Sequence, residues 1–340
     1  MSGRTAVTCG QRLAMTRSET KIEPVPFATF AEPIARLERA VQSVIRGKDE
    51  VVKLALVTLF ARGHLLIEDV PGVGKTTLAR VLARSFNCAF QRIQFTSDLL
   101  PADVIGTSIF SLDTQQFEFR PGPIFANIVL ADEINRTTPK TQSALLEAMN
   151  EYQVTAEKTT FPLPEPFLVI ATQNPIEHHG TYPLPESQLD RFLLRVRMGY
   201  PSPESEREIL ANSAKKDPLD ALEPVMSADE VVEIQRAVRG VTVDPDLVTY
   251  ALAIVEKTRH HEYLSLGVSP RGSVSLYRAA QARALVEGRG YCIPDDFKRL
   301  ALPVLAHRSV VNSRYVSNLK QTEQAEAVLQ EIIESTPVPI

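Results

Sequence analysis

The chain has 340 residues, 44% of them hydrophobic, which suits two domains with sizeable cores. Its formal net charge of −4 supplies no basic field for non-specific nucleic-acid binding, and with Trp absent no base-stacking platform is evident. The three cysteines, Cys9, Cys88 and Cys292, have no C-x-x-C spacing, which argues against a disulfide framework or a zinc site.

Residues 1–30 are polar and aperiodic, with Pro24 and Pro26 near the end, and are expected to form a loose extension. They hold no apolar block of a secretory leader, and no run in the chain approaches the ~18 apolar residues of a spanning helix, so a cytoplasmic protein without membrane insertion is expected. From Leu37 the spacing turns helical, with Leu37, Ala40, Val41, Val44 and Ile45 on one face; a second helix is expected over 51–62. Short apolar runs at 64–67, 90–95, 128–131, 168–172 and 193–198 alternate with helical patterns. That alternation predicts an open parallel sheet covered by helices on both faces, with ligands outside the carboxyl ends of the strands. Inserts at 108–119, with Asp113 and Thr114 at a turn, and at 153–163 read as hairpins. Tyr200, Pro201, Ser202 and Pro203 mark a boundary, beyond which the pattern is helical with N-caps expected at Ser202, Ser227 and Asp244. The expected organisation is an extension over 1–30, an α/β unit over 31–200 and a smaller helical unit over 201–340.

Residues 68–77, EDVPGVGKTT, sit between the first strand and a helix. A loop of Asp69, Val70, Pro71, Gly72, Val73 and Gly74 turns backbone N–H groups inward at a helix N-terminus, which makes a phosphate cradle. Lys75 is placed to reach β- and γ-phosphates, Thr76 to ligate Mg²⁺, and Thr77 to extend the donor set. Asp69 stands where the strict pattern has Gly and is expected to cap the strand end and point away from the phosphates.

The next strand ends in Asp132 and Glu133, which suit holding the hydrated Mg²⁺ and polarising a water for in-line attack, respectively; a solvated strand end is the plain alternative for such a pair standing alone. Asn174 follows another strand, where an amide can hydrogen-bond the γ-phosphate or the attacking water. Arg191 precedes the last strand and supplies a guanidinium suited to phosphoryl charge, although in isolation a surface salt bridge to Asp190 is the better explanation. Arg271, in the run SPRG, opens a helix. His178 and His179 are adjacent in a loop and read as a turn rather than a metal site, and His260 and His261 suit a helix C-terminus.

Taken together, EDVPGVGKT, FTSDLLPADVIGT, IVLADEINRTTPKTQSALLEAMNE, ATQNPIEHHGTYPLPESQLDRF and SPRGS resemble the AAA+ ATPases, and the MoxR family in particular, over roughly residues 33–335. The resemblance implies a P-loop AAA+ core and an all-α lid, with ATP and Mg²⁺ as ligands. It places Walker A on Asp69 through Thr76, Walker B on Asp132 and Glu133, sensor 1 on Asn174, the arginine finger on Arg191 and sensor 2 on Arg271. It also sets the adenine against Val44, Ile45 and Gly47, and leaves open whether Arg271 serves its own subunit or a neighbour. The hairpins match inserts that project toward the pore of a ring. The function implied is that of a chaperone-like ATP hydrolase, a hexamer pairing with a protein client or a von Willebrand A-domain protein. The alternatives are a magnesium-chelatase-like motor subunit, a nucleic-acid motor of the same clade, and a nucleotide-gated scaffold. The nucleic-acid reading wants Lys or Arg at the hairpin tips, and the first insert instead has Asp113, Gln115, Gln116 and Glu118.

Overall fold

The computed structural model describes residues 27–156, 159–174, 181–212, 218–312 and 321–339. Most of the expected loose extension lies outside them, but α1 (Ala28–Val44) already begins at Ala28. Pro33 interrupts the sequence pattern there, yet Phe27 holds the first turn by packing beside Gly290, where a Cβ would come within 2.5 Å of its ring. The second helix, α2 (Asp49–Phe60), starts and stops two residues before its expected bounds, and Arg62 beyond its end has a left-handed φ of 54°.

β1 (Leu65–Glu68) leads through the glycine loop into α3 (Lys75–Ser85), and β2 (Phe90–Gln94) follows. A short helix, α4 (Pro101–Ile105), precedes the first hairpin, β3 (Gly106–Ser111) and β4 (Gln116–Pro121). β5 (Ile128–Asp132) runs into one 3-10 turn, Ile134–Arg136, and then α5 (Pro139–Glu151). The second hairpin is β6 (Gln153–Ala156) and β7 (Thr159–Pro162); β8 (Leu168–Gln173), α6 (Glu186–Leu189) and β9 (Leu194–Val196) complete this part.

Five strands form one parallel sheet in the order β2-β5-β8-β1-β9, as the alternation predicts. Glu68 pairs in register with Gln173, and Gln94 with Asp132, so these strands end along one edge. Side chains alternate across the sheet with the strand period of two. Leu65, Ile67, Ile128, Leu130, Leu168 and Ile170 enter the core shared with α1, α2 and α3; Leu66, Val129, Ala131, Val169 and Ala171 enter a second core with Leu145, Leu146 and Met149 of α5. Burial on both faces explains why these strands read as unbroken apolar runs. Each such Val, Leu or Ile side chain contributes roughly 1.5–3 kcal/mol by leaving water.

The remainder is α7 (Pro203–Asn212), α8 (Ala228–Val238), α9 (Pro245–Arg259), α10 (Pro270–Val286), α11 (Pro294–Leu305) and α12 (Gln321–Glu334). Ser227 caps α8 in a capping box with Glu230, and Asp244 caps α9 through the Asp246 N–H. Two short antiparallel strands, β10 (Leu264–Leu266) and β11 (Val310–Val311), interrupt the helices; at two or three residues each they carry no legible period. The first core continues without a break into α8–α11. Gln235 Nε2 donates to Leu59 O at 2.7 Å and Arg283 pairs with Glu50 at 2.8 Å, so polar contacts cross the same junction.

Candidate active site

Gly72 and Gly74 have φ of 85° and 94°, a region that costs other residues roughly 1–2 kcal/mol, and this folds residues 69–74 into a tight loop over the start of α3. Because Gly74 O accepts first from the Leu78 N–H, the N–H groups of Lys75, Thr76 and Thr77 find no partner within the helix and face the loop end. Lys75 Nζ donates to Asp69 O at 2.7 Å. Burial pulls the Lys75 ammonium below its ordinary pKa, while Asp132, Asp69 and Glu133 oppose that pull. The Asp69 carboxylate accepts from the N–H of Val70 at 2.8 Å and of Gly199 at 2.6 Å, and the hydrogen bond to Lys75 is left to its backbone carbonyl.

Beside the loop lies a cavity of about 700 Å³. Val44, Ile45, Gly72, Val73, Gly74 and Thr77 line it, together with Ser43, Arg46 and Lys48. Its far wall, Met198, Pro201, Glu208, Ile209 and Pro218, was not legible in the sequence, although Ile209, 52% exposed on α7, is the kind of stray apolar residue that marks a lining. Gly47 shapes the wall rather than lining it: its φ is 67°, and a Cβ there would meet Ser205 Oγ at 2.4 Å. Pro71 is exposed and Val70 half-buried at the outer side of the loop.

Asp132 and Glu133 stand at the end of β5, with Glu133 in the left-handed region at φ 57°. Thr172 on the neighbouring strand joins them, donating to Asp132 Oδ1 at 2.6 Å and accepting the Glu133 N–H at 2.9 Å. Arg92 donates to Asp132 Oδ2 through Nε at 3.0 Å and Nη2 at 2.5 Å. Gln94 connects the carboxylates, accepting from Arg92 at 2.6 Å and donating to Glu133 Oε2 at 2.8 Å, while Arg136 lies 3.1 Å from that same oxygen. Neither Arg92, Gln94 nor Thr172 was singled out by sequence; only strand pairing makes them neighbours of the acids.

These residues fit a nucleotide triphosphate with Mg²⁺. The loop has open space at Gly72, where a Cβ would meet nothing within 4 Å, and Lys75 and Thr76 are the first two residues of α3. Asp132 offers an anionic oxygen that is already paired with a cationic group.

Three further candidates remain. Asn174 is buried after β8, next to Gln173, whose carbonyl accepts the Asp69 N–H at 3.1 Å. Arg191 is turned toward α5: Nη1 donates to Leu146 O at 2.7 Å, and with the Asn150 amide oriented to accept, its oxygen lies 2.8 Å from Nη1 and 3.1 Å from Nε. Asp190 therefore does not neutralise Arg191; it pairs with Arg308 at 2.8 Å. Burial lowers the Arg308 guanidinium to about 10, with Asp190 opposing. Arg271 is exposed in the first turn of α10, which Ser269 caps by accepting the Gly272 N–H.

His178 and His179 lie outside the described residues. His260 contacts Glu256 at 2.8 Å at the end of α9. Among the described residues there is no group of three or more His, Cys, Asp or Glu that could hold a metal ion, and no helix long and apolar enough to cross a membrane.

The model of the ATPase family associated with various cellular activities matches residues 64–194, and the AAA lid domain model matches 256–332. The chain is 52% identical over 307 residues to the uncharacterized protein YeaC of Bacillus subtilis, spanning 89% of this chain and 95% of that one. It is 42% identical over 322 residues to chaperone MoxR1 of Mycobacterium tuberculosis, spanning 91% of this chain and 84% of that one. A crystal structure of a candidate ATPase from Cytophaga hutchinsonii superposes with a TM-score of 0.85 at 36% identity, covering 92% of this chain and 97% of the other. With a parallel five-stranded sheet, a glycine loop facing an acidic strand end and these relatives, the chain belongs to the MoxR family of AAA+ ATPases.

Proposed function

We propose that the chain binds and hydrolyses ATP with Mg²⁺ as a ring oligomer, a hexamer by family likeness, and uses the cycle to remodel protein partners in the cytoplasm. The observation that carries this is the placement of Lys75, at the start of α3 behind the glycine loop that lines the cavity, within electrostatic reach of Asp132 and Glu133. Loop N–H groups and Lys75 bind the phosphates, and Lys75 exchanges its Asp69 carbonyl for phosphate oxygens. Thr76 and Asp132 would hold Mg²⁺, which when bound offsets charge on the phosphate oxygens. Glu133 orients the attacking water and accepts its proton, and Asn174 positions the γ-phosphate.

Arg191 is held by α5, through Leu146 O and the Asn150 amide, rather than by the glycine loop or the acids of β5, which supports its acting on a neighbouring subunit's nucleotide. Such a finger is worth on the order of 10³–10⁵ in rate. Arg271 is exposed in the first turn of α10, and we assign it to the neighbour's site too.

Protein rather than nucleic acid suits the first hairpin. Its tip exposes Leu112 at 83% and Phe117 at 69%, beside Asp113 and Glu118. Phe119 stacks on Phe161 with ring centroids 4.3 Å apart, so the two hairpins pack against each other. A protein client, or a von Willebrand A-domain partner, is the occupant proposed for that surface.

ATP binding and single-turnover hydrolysis by assembled samples of wild type, Lys75→Ala and Glu133→Gln test the reading. Lys75→Ala is expected to lose binding and Glu133→Gln to bind ATP without turning it over. Wild-type turnover by Glu133→Gln removes the catalytic assignment.

A further inference from the structure

Arg191 and Arg271 lie in separate parts of the chain, yet one buried cluster holds both. Arg308, in the 3-10 turn Ala306–Arg308 after α11, is 3% exposed. Its Nε donates to Asp190 Oδ1 at 2.8 Å, and its Nη2 donates to Asp190 O at 3.2 Å and to Phe192 O at 2.6 Å. Those two carbonyls flank Arg191, so one guanidinium grips the backbone on either side of it. From the other direction, Ser269 Oγ donates to the Asp190 carboxylate at 3.1 Å and accepts the Gly272 N–H at 3.2 Å, which fixes the first turn of α10 where Arg271 stands. A planar, five-donor cation is the group able to make so many fixed contacts at once.

We propose that Asp190, Arg308 and Ser269 form a joint that presents Arg191 and Arg271 to a neighbouring subunit as one two-arginine unit, coupling the helical half of one subunit to hydrolysis in the next. This rests on the reading of Arg191 as a finger. The three are positioning residues; none lines the nucleotide cavity. A displacement of about 1 Å in a catalytic group costs on the order of a hundredfold in rate, so a loosened joint is visible in turnover.

The test compares the full chain with Asp190→Asn, Ser269→Ala and Arg191→Ala, measuring binding of a fluorescent ATP analogue, assembly and steady-state hydrolysis. Asp190→Asn keeps the shape and removes the charge; Ser269→Ala leaves the buried ion pair intact and so remains informative should the first fold poorly. Both are expected to bind and assemble as wild type does while kcat falls, by about a hundredfold for Asp190→Asn. Mixing Asp190→Asn with Lys75→Ala subunits, which lack a working site but keep the joint, is expected to restore hydrolysis above the sum of the two alone. A purely structural role for Asp190 gives no such recovery, and its absence overturns the proposal. Wild-type kcat in both joint variants, with Arg191→Ala silent, overturns the joint alone. Wild-type kcat in Arg191→Ala overturns the finger reading and the joint with it.

Discussion

The Asp69 carboxylate accepts the backbone N–H of Gly199 at 2.6 Å, tying the start of the phosphate loop to the chain as it leaves β9 for the helices. Asp69 is 7% exposed, and its other oxygen accepts the Val70 N–H. Asp69→Gly, which restores the generic loop pattern, leaves both N–H groups without this acceptor. It is expected to destabilise the fold by about 1–3 kcal/mol, read as a lower urea midpoint. A midpoint at or above the wild-type value contradicts the anchoring role.

Thr172→Val tests the bridge between the two acids. The change preserves shape but removes the donor to Asp132 and the acceptor of the Glu133 N–H. Glu133 then loses a restraint on its left-handed backbone. Hydrolysis is expected to fall more than ATP affinity, with a stability loss of about 1–3 kcal/mol. Calorimetric binding measured beside turnover separates the two effects, and equal losses in both count against the assignment.

Arg92 covers Asp132, the residue proposed for Mg²⁺, with two guanidinium nitrogens. A divalent ion arriving there competes with it. Arg92→Gln is expected to lower, several-fold, the Mg²⁺ concentration needed for half-maximal binding of a fluorescent ATP analogue. An unchanged or higher Mg²⁺ requirement shows that Arg92 and the ion do not share the carboxylate.

His64 introduces a pH dependence. It is fully enclosed, with Nδ1 accepting the Val169 N–H at 3.0 Å and Nε2 2.9 Å from Met149 O, an arrangement that demands the neutral ring. Burial lowers its pKa from 6.5 to about 4. Above pH 6.5 the ring is neutral in both states and pH has no effect through it. Between that value and about 4 only the unfolded chain takes up the proton, so stability falls as pH falls, by up to roughly 1.4 kcal/mol per pH unit. His307, whose pKa burial pushes well down, adds in the same direction. Urea midpoints for wild type and His64→Gln across this range are expected to converge toward acid pH. Parallel curves rule His64 out as the source.

The parallel sheet was legible because strands buried on both faces must be apolar throughout, and the five runs are short and bounded by turns. The hairpins were legible from their turns and alternation. The beginning of α1 was not, since Pro33 breaks the local pattern while Phe27 secures the first turn through Gly290, far along the chain. β10 and β11 are too short to show a period.

For the site, sequence alone determined the chemistry that bonded neighbours dictate: glycines where φ must be positive, a lysine and threonines at a helix start, and paired acids at a strand end. Tertiary structure alone decided which groups face one another. Arg92 reaches Asp132 across 40 positions and Asp69 reaches Gly199 across 130, because the strand order β2-β5-β8-β1-β9 is not the chain order. It also turned Arg191 toward α5 and gave Asp190 to Arg308, since the buried guanidinium of the helical half needs a charged partner.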